Sequence, residues 1–215
     1  MNRRLRQVIL AISNNPFCVV PGTAPETTVT IIQPHREGGY MKIQKATETD
    51  LDKIMKVYAH ARAFMAASGN PNQWGPTNWP PIDLVRQDIA TGRSYVCVMD
   101  SRIVGVFFYD YGKDIEPTYR SIEDGTWSDA SPYGVVHRIA SDGTARGVGR
   151  FCLDWAFAQC GHLKIDTHPD NLVMQGLLAK LGFERRGIIH VEEDDYPRFA
   201  YEKTRKWQKG FVKKD

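Results

Sequence analysis

The sequence predicts a single α/β domain of the α+β type, with a central sheet of about six to seven strands flanked by about four helices. Apolar residues alternate in some short segments and recur at helical spacing in others, which indicates strands and helices. The chain has 215 residues, 42% of them hydrophobic, which is enough for one buried core. The stretch Val135 to Phe183 reads as strand, glycine-rich turn, helix, strand and helix.

Seven segments have the apolar or alternating character of strands. They are 42–46, 94–99, 103–109, 135–139, 163–167, 187–191 and 199–201. Four segments have apolar residues at helical spacing, namely 51–65, 81–89, 148–158 and 171–181. Thr49 and Asp50 precede the first helix as start signals, Pro81 opens the second, and Gly92 and Gly182 follow helix ends.

Two long irregular segments carry aromatic residues. Residues 69–81 contain four prolines together with Trp74 and Trp79, which either line a substrate pocket or fasten the segment to the core. Residues 111–132 contain Tyr119 and Trp127, and such a long loop is usually functional or disordered. Its aromatic residues argue against disorder.

Several acidic side chains lie in the second of these segments. They are Glu116, Glu123, Asp124 and Asp129. Together with the tryptophans they indicate a cationic amine as ligand. A solvated acidic face is the simpler interpretation of the same residues.

The turn Ser141 to Arg150 is the strongest candidate for chemistry. Its glycines let the backbone approach a ligand, and the helix that follows has unpaired amides and a positive dipole end. Arg146 and Arg150 add positive charge. The turn therefore predicts a site for a di-anionic phosphate group. A solvated loop with two surface arginines is the alternative.

Two common phosphate motifs do not fit this turn. A Walker loop ends in Gly-Lys-Ser/Thr, and that ending is missing here. A dinucleotide fingerprint needs a glycine at position 152, where Cys152 stands. Asp166 lies at about the right distance to hold a ribose, so the dinucleotide interpretation is weakened rather than excluded.

At this point the sequence resembles the acyl-CoA-binding core of the GNAT superfamily of N-acetyltransferases. Gly147 and Gly149 match the glycines of its pyrophosphate turn. The second part of the pattern is matched by Asn171, Met174, Leu177, Lys180, Leu181, Gly182 and Phe183. The resemblance covers about 133–204 and extends more loosely back to Met41. Thr144 departs from the usual Gln or Arg, and Leu178 replaces the usual tyrosine.

The resemblance implies a mixed, mostly antiparallel sheet that splays between its fourth and fifth strands, with acetyl-CoA as co-substrate in the gap. It implies direct transfer of the acetyl group to an amine of a small molecule or peptide. The residues that would bind coenzyme A are Ile139, Ala140, Ala145, Arg146, Gly147, Val148, Gly149, Arg150, Asn171 and Gln175. The residues that would form the acceptor site are Trp74, Trp79, Tyr119 and Trp127.

Such a transfer needs a base, because an ammonium group cannot attack the thioester. His137, in the fourth predicted strand, is the first candidate, since an imidazole titrates near neutrality. A histidine hydrogen-bonded across the sheet is the structural alternative, and Glu123 or Asp124 acting through water comes second. With Leu178 in place of tyrosine, Tyr133, His168 or a water could act as acid, although His168 fits a structural role better. Loss of the acid leaves a non-catalytic acyl-CoA-binding regulatory module as the alternative function.

Composition bounds the remaining properties. The net charge of +3 gives no reason to expect nucleic acid or a membrane as partner. Four cysteines without ligand spacing predict reduced thiols in a cytoplasmic protein, and no metal is expected.

We expect a domain at 41–204, an N-terminal extension at 1–40 that is disordered or not part of the native product, and a basic tail at 205–215. Translation from Met41, behind a stretch that could encode a bacterial ribosome-binding sequence, is the favoured hypothesis. A homodimer is compatible with the resemblance.

Overall fold

The structure, a computed structural model, describes residues 32–34, 40–192 and 194–205. Eight strands are present in this part of the chain: β1 Ile32–Pro34, β2 Tyr40–Lys45, β3 Ser94–Met99, β4 Arg102–Gly112, β5 Tyr133–Ser141, β6 His162–Thr167, β7 Glu184–His190 and β8 Pro197–Thr204. Four α-helices accompany them: α1 Leu51–Ala67, α2 Ile82–Ala90, α3 Val148–Cys160 and α4 Leu172–Lys180. Short 3-10 turns occupy Glu48–Asp50 and Pro117–Arg120.

The predicted mixed sheet is confirmed, and its strand order is β1-β2-β3-β4-β5-β6-β8-β7. Neighbouring strands are antiparallel except for β5 and β6, which run parallel. The short strand β1 was not predicted; it pairs Ile32–Pro34 with the start of β2. Most of the predicted extension and all but the first residue of the predicted tail lie outside the described residues.

The sheet opens between β5 and β6, as the resemblance implied for the fourth and fifth predicted strands. Pairing is confined to Gly134 with Leu163 and Val135 with Lys164. From Val136 onward the two strands diverge, so that the carboxyl half of β5 presents an unpaired backbone edge toward the gap. An extended ligand can form hydrogen bonds with such a free strand edge. The opening is therefore a suitable binding cleft.

Alternation along β3 divides the core into two layers. Tyr95 and Cys97 face a cluster that includes the buried residues of α3 and α4, among them Trp155 at 1% exposure. Val96 and Val98 face the opposite cluster, which contains the buried side of α1 and Val85 of α2. The helices therefore cover both faces of the sheet, as their apolar spacing predicted.

The long segment after β4 packs onto the sheet beside β5, β7 and β8. Tyr119 and Tyr133 are both buried there, with Trp127 packed against them. The Trp127 Nε1–H donates to the Tyr119 carbonyl at 2.8 Å, and Glu123 forms a backbone bridge with Ile188. This segment is therefore ordered, in agreement with its aromatic content. None of the helices in the described residues has both the length and the apolar character that crossing a membrane requires.

Candidate active site

The opening between β5 and β6 continues into a cavity of about 550 Å³. One wall is the carboxyl half of β5, including Ile139 and Ala140, and another is the start of α4 with Asn171. The irregular segment 69–81 and the end of α1 close the opposite side. The splayed strands, the irregular segment 69–81 and two helices thus surround a single cavity.

The glycine-rich turn lies at the mouth of this opening and starts α3. Gly147 is the N-cap residue with φ of 80°, a left-handed conformation that strongly favours glycine. The first backbone hydrogen bond of the helix runs from Phe151 N–H to the Gly147 carbonyl at 2.9 Å, so the amides of Val148 to Arg150 precede the helical ladder. Gly149 lines the cavity, and an added Cβ there would lie 3.2 Å from Leu177.

A second glycine seats the start of α3 closely on the sheet. Gly105 of β4 lies directly beneath Val148, and a Cβ at position 105 would overlap the Val148 Cγ1. Val148 itself is buried at 2% exposure. The amide end of the helix is therefore fixed relative to the strand edge by direct packing. Arg146 and Arg150 are exposed beside it, and the Arg150 Nε lies 3.3 Å from the Asp154 carboxylate.

The two polar residues at the start of α4 that were predicted to bind coenzyme A, Asn171 and Gln175, both make hydrogen bonds within the protein. Asn171 caps α4, since its Oδ1 accepts from Met174 N–H at 3.0 Å, and its Nδ2 donates to Gln73 Oε1 at 2.9 Å. Gln175 Nε2 donates to the carbonyls of His168 and Pro169 and does not line the cavity. Asn171 thus joins the start of α4 to the segment 69–81 across the opening.

His137 lies in the cavity between two carboxylates. Its Nε2 is 2.8 Å from Glu116 Oε2, and its Nδ1 is 3.6 Å from Asp166 Oδ1. The register of the paired part of β5 and β6 explains the second contact, because both residues lie three positions beyond the Gly134–Leu163 pair. All three side chains line the cavity and are partly shielded, at 21% exposure for His137, 19% for Glu116 and 11% for Asp166.

Hydrogen bonding keeps Glu116 ionised. Burial alone would raise the pKa of its carboxyl group, but hydrogen bonds from His137 and from Thr118 outweigh burial and lower the pKa to about 2. Both the N–H and the hydroxyl of Thr118 donate to Oε1, at 3.2 and 2.7 Å. An ionised carboxylate only accepts hydrogen bonds, so the His137 Nε2 must carry the hydrogen that it shares with Glu116.

The backbone just after His137 bulges. Phe108 pairs with His137 and Val106 with Ala140, so Arg138 and Ile139 together face a single residue of β4. Arg138 adopts φ of 51°, which is uncommon for a non-glycine residue. Its guanidinium donates to Asp88 Oδ2 from Nη2 at 2.8 Å and from Nε at 3.1 Å, and its carbonyl accepts from the Tyr58 hydroxyl at 3.1 Å. These contacts hold the bulge that turns the strand edge toward the cavity.

The predicted acceptor residues divide into two groups. Trp74 and Trp79 line the cavity, and Trp74 packs edge-on against Tyr58 with ring centroids 5.8 Å apart. Tyr119 and Trp127 do not line it. Tyr119 instead donates its hydroxyl to Asp166 Oδ1 at 2.8 Å and so fixes that carboxylate from behind.

The other proton-transfer candidates lie away from the cavity lining. Tyr133 is buried, and its hydroxyl accepts from Glu116 N–H at 3.4 Å. Glu123 is exposed and its carboxylate lies 3.5 Å from His190, while Asp124 is also exposed. Neither carboxylate is brought to His137, so of the three candidate bases only the histidine lines the site.

Leu178 and His168 are both buried and contact other parts of the protein. Leu178 of α4 is fully buried in the core cluster that also contains the buried residues of α3, so no donor reaches the cavity from that position. His168 is 1% exposed, and its Nδ1 accepts from Asp170 N–H at 3.1 Å, which is the structural role favoured by the sequence. Burial lowers the pKa of His168.

Comparison with solved structures identifies this architecture, although no family model and no curated protein matches the sequence. A GNAT-family acetyltransferase from Streptococcus agalactiae shares 29% identity, covering 76% of this chain and 95% of that chain with a TM-score of 0.69. The chain has the fold of the GNAT superfamily. The resemblance found in the glycine turn and around Asn171 is thereby confirmed.

Two further solved structures share the GNAT fold. A putative acetyltransferase from Staphylococcus aureus is 25% identical, covers 76% of this chain and 99% of that chain, and has a TM-score of 0.53. A GNAT-family acetyltransferase from Listeria monocytogenes is 15% identical, covers 80% of this chain and 98% of that chain, and has a TM-score of 0.59. Each GNAT domain is nearly fully covered, while this chain has residues beyond it.

Two residues of the site were missed as partners of His137. Glu116 was noted only as one of several acidic residues, and Asp166 only as a weak ribose ligand. Asp166 comes close to His137 through the parallel register of β5 and β6, and the local sequence does not specify that register. No sequence signal indicated that Glu116, 21 residues before His137, folds back onto the imidazole.

Proposed function

We propose that this GNAT-fold protein is an acetyl-CoA-dependent N-acetyltransferase that transfers an acetyl group directly to a primary amine of a small molecule or peptide. The observation that carries the proposal is the hydrogen bond between His137 and an ionised Glu116, inside a cavity formed by the splayed strands. A site that only bound coenzyme A would not require a partly shielded, oriented imidazole beside an acceptor volume.

The hydrogen-bond pattern identifies the atom that accepts the proton. Because Nε2–H is committed to Glu116, the Nδ1 of neutral His137 carries the lone pair. A substrate ammonium gives its proton to Nδ1, and the imidazolium so formed lies between Glu116 and Asp166. Two neighbouring carboxylates stabilise that positive charge, and general-base help of this kind is worth about 10²- to 10⁴-fold in rate.

The neutral amine then attacks the thioester carbonyl carbon, the C–S bond breaks, and the coenzyme A thiolate leaves. The amide nitrogen loses its second proton, which the departing thiolate takes up, so that the products are the N-acetyl amide and the free coenzyme A thiol. The backbone edge from Val136 to Ser141 supports binding of an extended pantetheine arm, and the amide end of α3 supports binding of the diphosphate. A backbone N–H of the bulge would face the carbonyl oxygen, where negative charge develops. With Leu178 buried, the thiolate departs without an acid from that position.

The second candidate is a non-catalytic acyl-CoA-binding regulatory module, and the buried Leu178 favours it. Release of free thiol from acetyl-CoA, measured with a thiol reagent across a panel of amines, separates the two functions. We expect amine-dependent release that falls by at least about 100-fold in His137→Ala with coenzyme A affinity retained. His190→Ala, which removes an exposed imidazole elsewhere, is the matched control and should leave release unchanged. Coenzyme A binding without amine-dependent release would favour the regulatory module.

A further inference from the structure

The carboxylates that line the cavity differ in whether they are paired with basic side chains of the protein. Among the described residues three carboxylates line it, and two of them are occupied: Glu116 by His137 and Thr118, and Asp194 by Arg198. The Arg198–Asp194 pair is bidentate, with contacts of 3.0 and 2.6 Å. Asp166 is the remaining carboxylate, and no described lysine or arginine lies within ion-pair distance of it.

Asp166 is held in place to meet a cation. The Tyr119 hydroxyl donates to its Oδ1 from within the buried cluster, while the carboxylate itself lines the cavity. It lies beside the Nδ1 of His137, which is the proton acceptor of the proposed function. An ammonium group bound by Asp166 would therefore already be next to its base.

Among the described residues, no unpaired lysine or arginine lines the cavity to bind an anionic substrate group. Two arginines line it, Arg138 and Arg198, and both are neutralised by hydrogen-bonded carboxylates, Asp88 and Asp194. A substrate carboxylate or phosphate at the acceptor end would have no unpaired lysine or arginine to bind among the described residues, which costs binding energy in a shielded site.

The acceptor side of the cavity is aromatic and apolar. Trp74 and Trp79 come from the segment 69–81, and Phe64 and Met65 come from the end of α1. Tyr58 supports the Trp74 ring edge-on and donates its hydroxyl to the carbonyl of Arg138, next to His137. The aromatic wall is thus joined directly to the strand that bears the base, and it favours a flat apolar body.

We propose that the acceptor is an arylalkyl monoamine: one ammonium group, bound by Asp166, at the end of a flat apolar body that packs on Trp74 and Trp79. Polyamines and aminosugars require further unpaired carboxylates, and amino acids require an unpaired lysine or arginine. The described lining supplies neither. This inference rests on the proposed function for the location of the acceptor end, and it concerns selectivity rather than the chemistry of transfer.

Binding is tested by calorimetry on the full chain with coenzyme A present and no acetyl donor. The reference probe is 2-phenylethylamine, which has one ammonium group on a flat apolar body. Phenylalanine adds a carboxylate, 2-phenylethanol lacks the positive charge, and spermidine carries several positive charges. We expect 2-phenylethylamine to bind at least about tenfold more tightly than each of the others, the value of one charged hydrogen bond. Equal or tighter binding of spermidine or phenylalanine overturns the inference.

Two variants test the residues named. Asp166→Asn keeps an oxygen that can accept from Tyr119, and it should abolish the preference for 2-phenylethylamine over 2-phenylethanol. Trp74→Leu should weaken binding of both compounds alike. Asp83→Asn removes an exposed carboxylate on α2 and is the control. A preference that survives in Asp166→Asn overturns the assignment of the ammonium site.

The same probes in a turnover assay with acetyl-CoA separate this inference from the proposed function. Acetylation of spermidine in place of 2-phenylethylamine would overturn the selectivity and leave the acetyltransferase standing. Selective binding of 2-phenylethylamine without acetylation would support the site and overturn the proposed reaction.

Discussion

Replacing Glu116 by Gln removes one charge from the centre of the site and preserves an oxygen that can accept from His137. In the native protein the pKa of this carboxyl group is about 2, against an ordinary value of 4.5. That lowering corresponds to about 3 kcal/mol of preference for the charged form. Since the side chain is only 19% exposed, solvent screens little of this interaction.

The sign of the pH dependence follows from the lowered pKa. The Glu116 carboxylate stabilises the fold fully above pH 4.5, the unfolded value, and this stabilisation is lost as the pH falls toward about 2. Glu116→Gln should therefore lower the free energy of unfolding at neutral pH by up to about 3 kcal/mol. The variant should also lose less of its remaining stability than the native protein between pH 4.5 and 2.

Urea denaturation at several pH values and amine-dependent thiol release measure the two consequences. We expect kcat/KM to fall by about 10- to 1,000-fold, because the proton acceptor loses its orienting charge. Combining Glu116→Gln with His137→Ala should add little to the effect of the histidine variant alone, since the two residues act as a unit. An undiminished rate together with an unchanged acid profile would refute the role given to this pair.

Two further predictions concern the scaffold around the cavity. Glu202 is fully buried with its Oε1 2.8 Å from His162 Nε2, so Glu202→Gln should destabilise the fold by about 3 kcal/mol, seen in urea denaturation. A loss below about 1 kcal/mol would contradict that role. Gly105→Ala would push against Val148 and displace the start of α3, so calorimetry should record weaker coenzyme A binding than in Gly176→Ala, where an added Cβ meets open space. Equal affinities would show that the packing beneath α3 is unimportant for the ligand.

The elements themselves were predictable because local patterns specify them. The apolar run in β3 predicts a strand buried on both faces, and strand geometry then sends Tyr95 and Cys97 to one layer and Val96 and Val98 to the other. The path of the segment after β4 was not predictable, because it depends on distant partners such as the backbone bridge between Glu123 and Ile188. The ends of β4 were also underestimated, since Tyr111 and Gly112 pair with the start of β5.

The same distinction holds for the site. The glycine turn and His137 could be proposed from the sequence because their chemistry resides in local sequence and in one side chain. Glu116 joins His137 only through the fold of an irregular segment, and Asp166 only through the parallel register of β5 and β6. Asn171 lines the cavity, and its amide also caps α4 and contacts Gln73, a contact between segments that no local pattern encodes.

The most direct test of the account is calorimetric titration of the full chain with coenzyme A and with pantetheine, which lacks the diphosphate. If the amides at the start of α3 hold the diphosphate, coenzyme A should bind at least about tenfold more tightly than pantetheine. Gly147→Asp should abolish that difference, whereas Gly147→Asn, which also tolerates the left-handed conformation at φ of 80°, should retain most of it. No binding of coenzyme A to the native chain, or an equal advantage in the aspartate variant, would contradict the central claim.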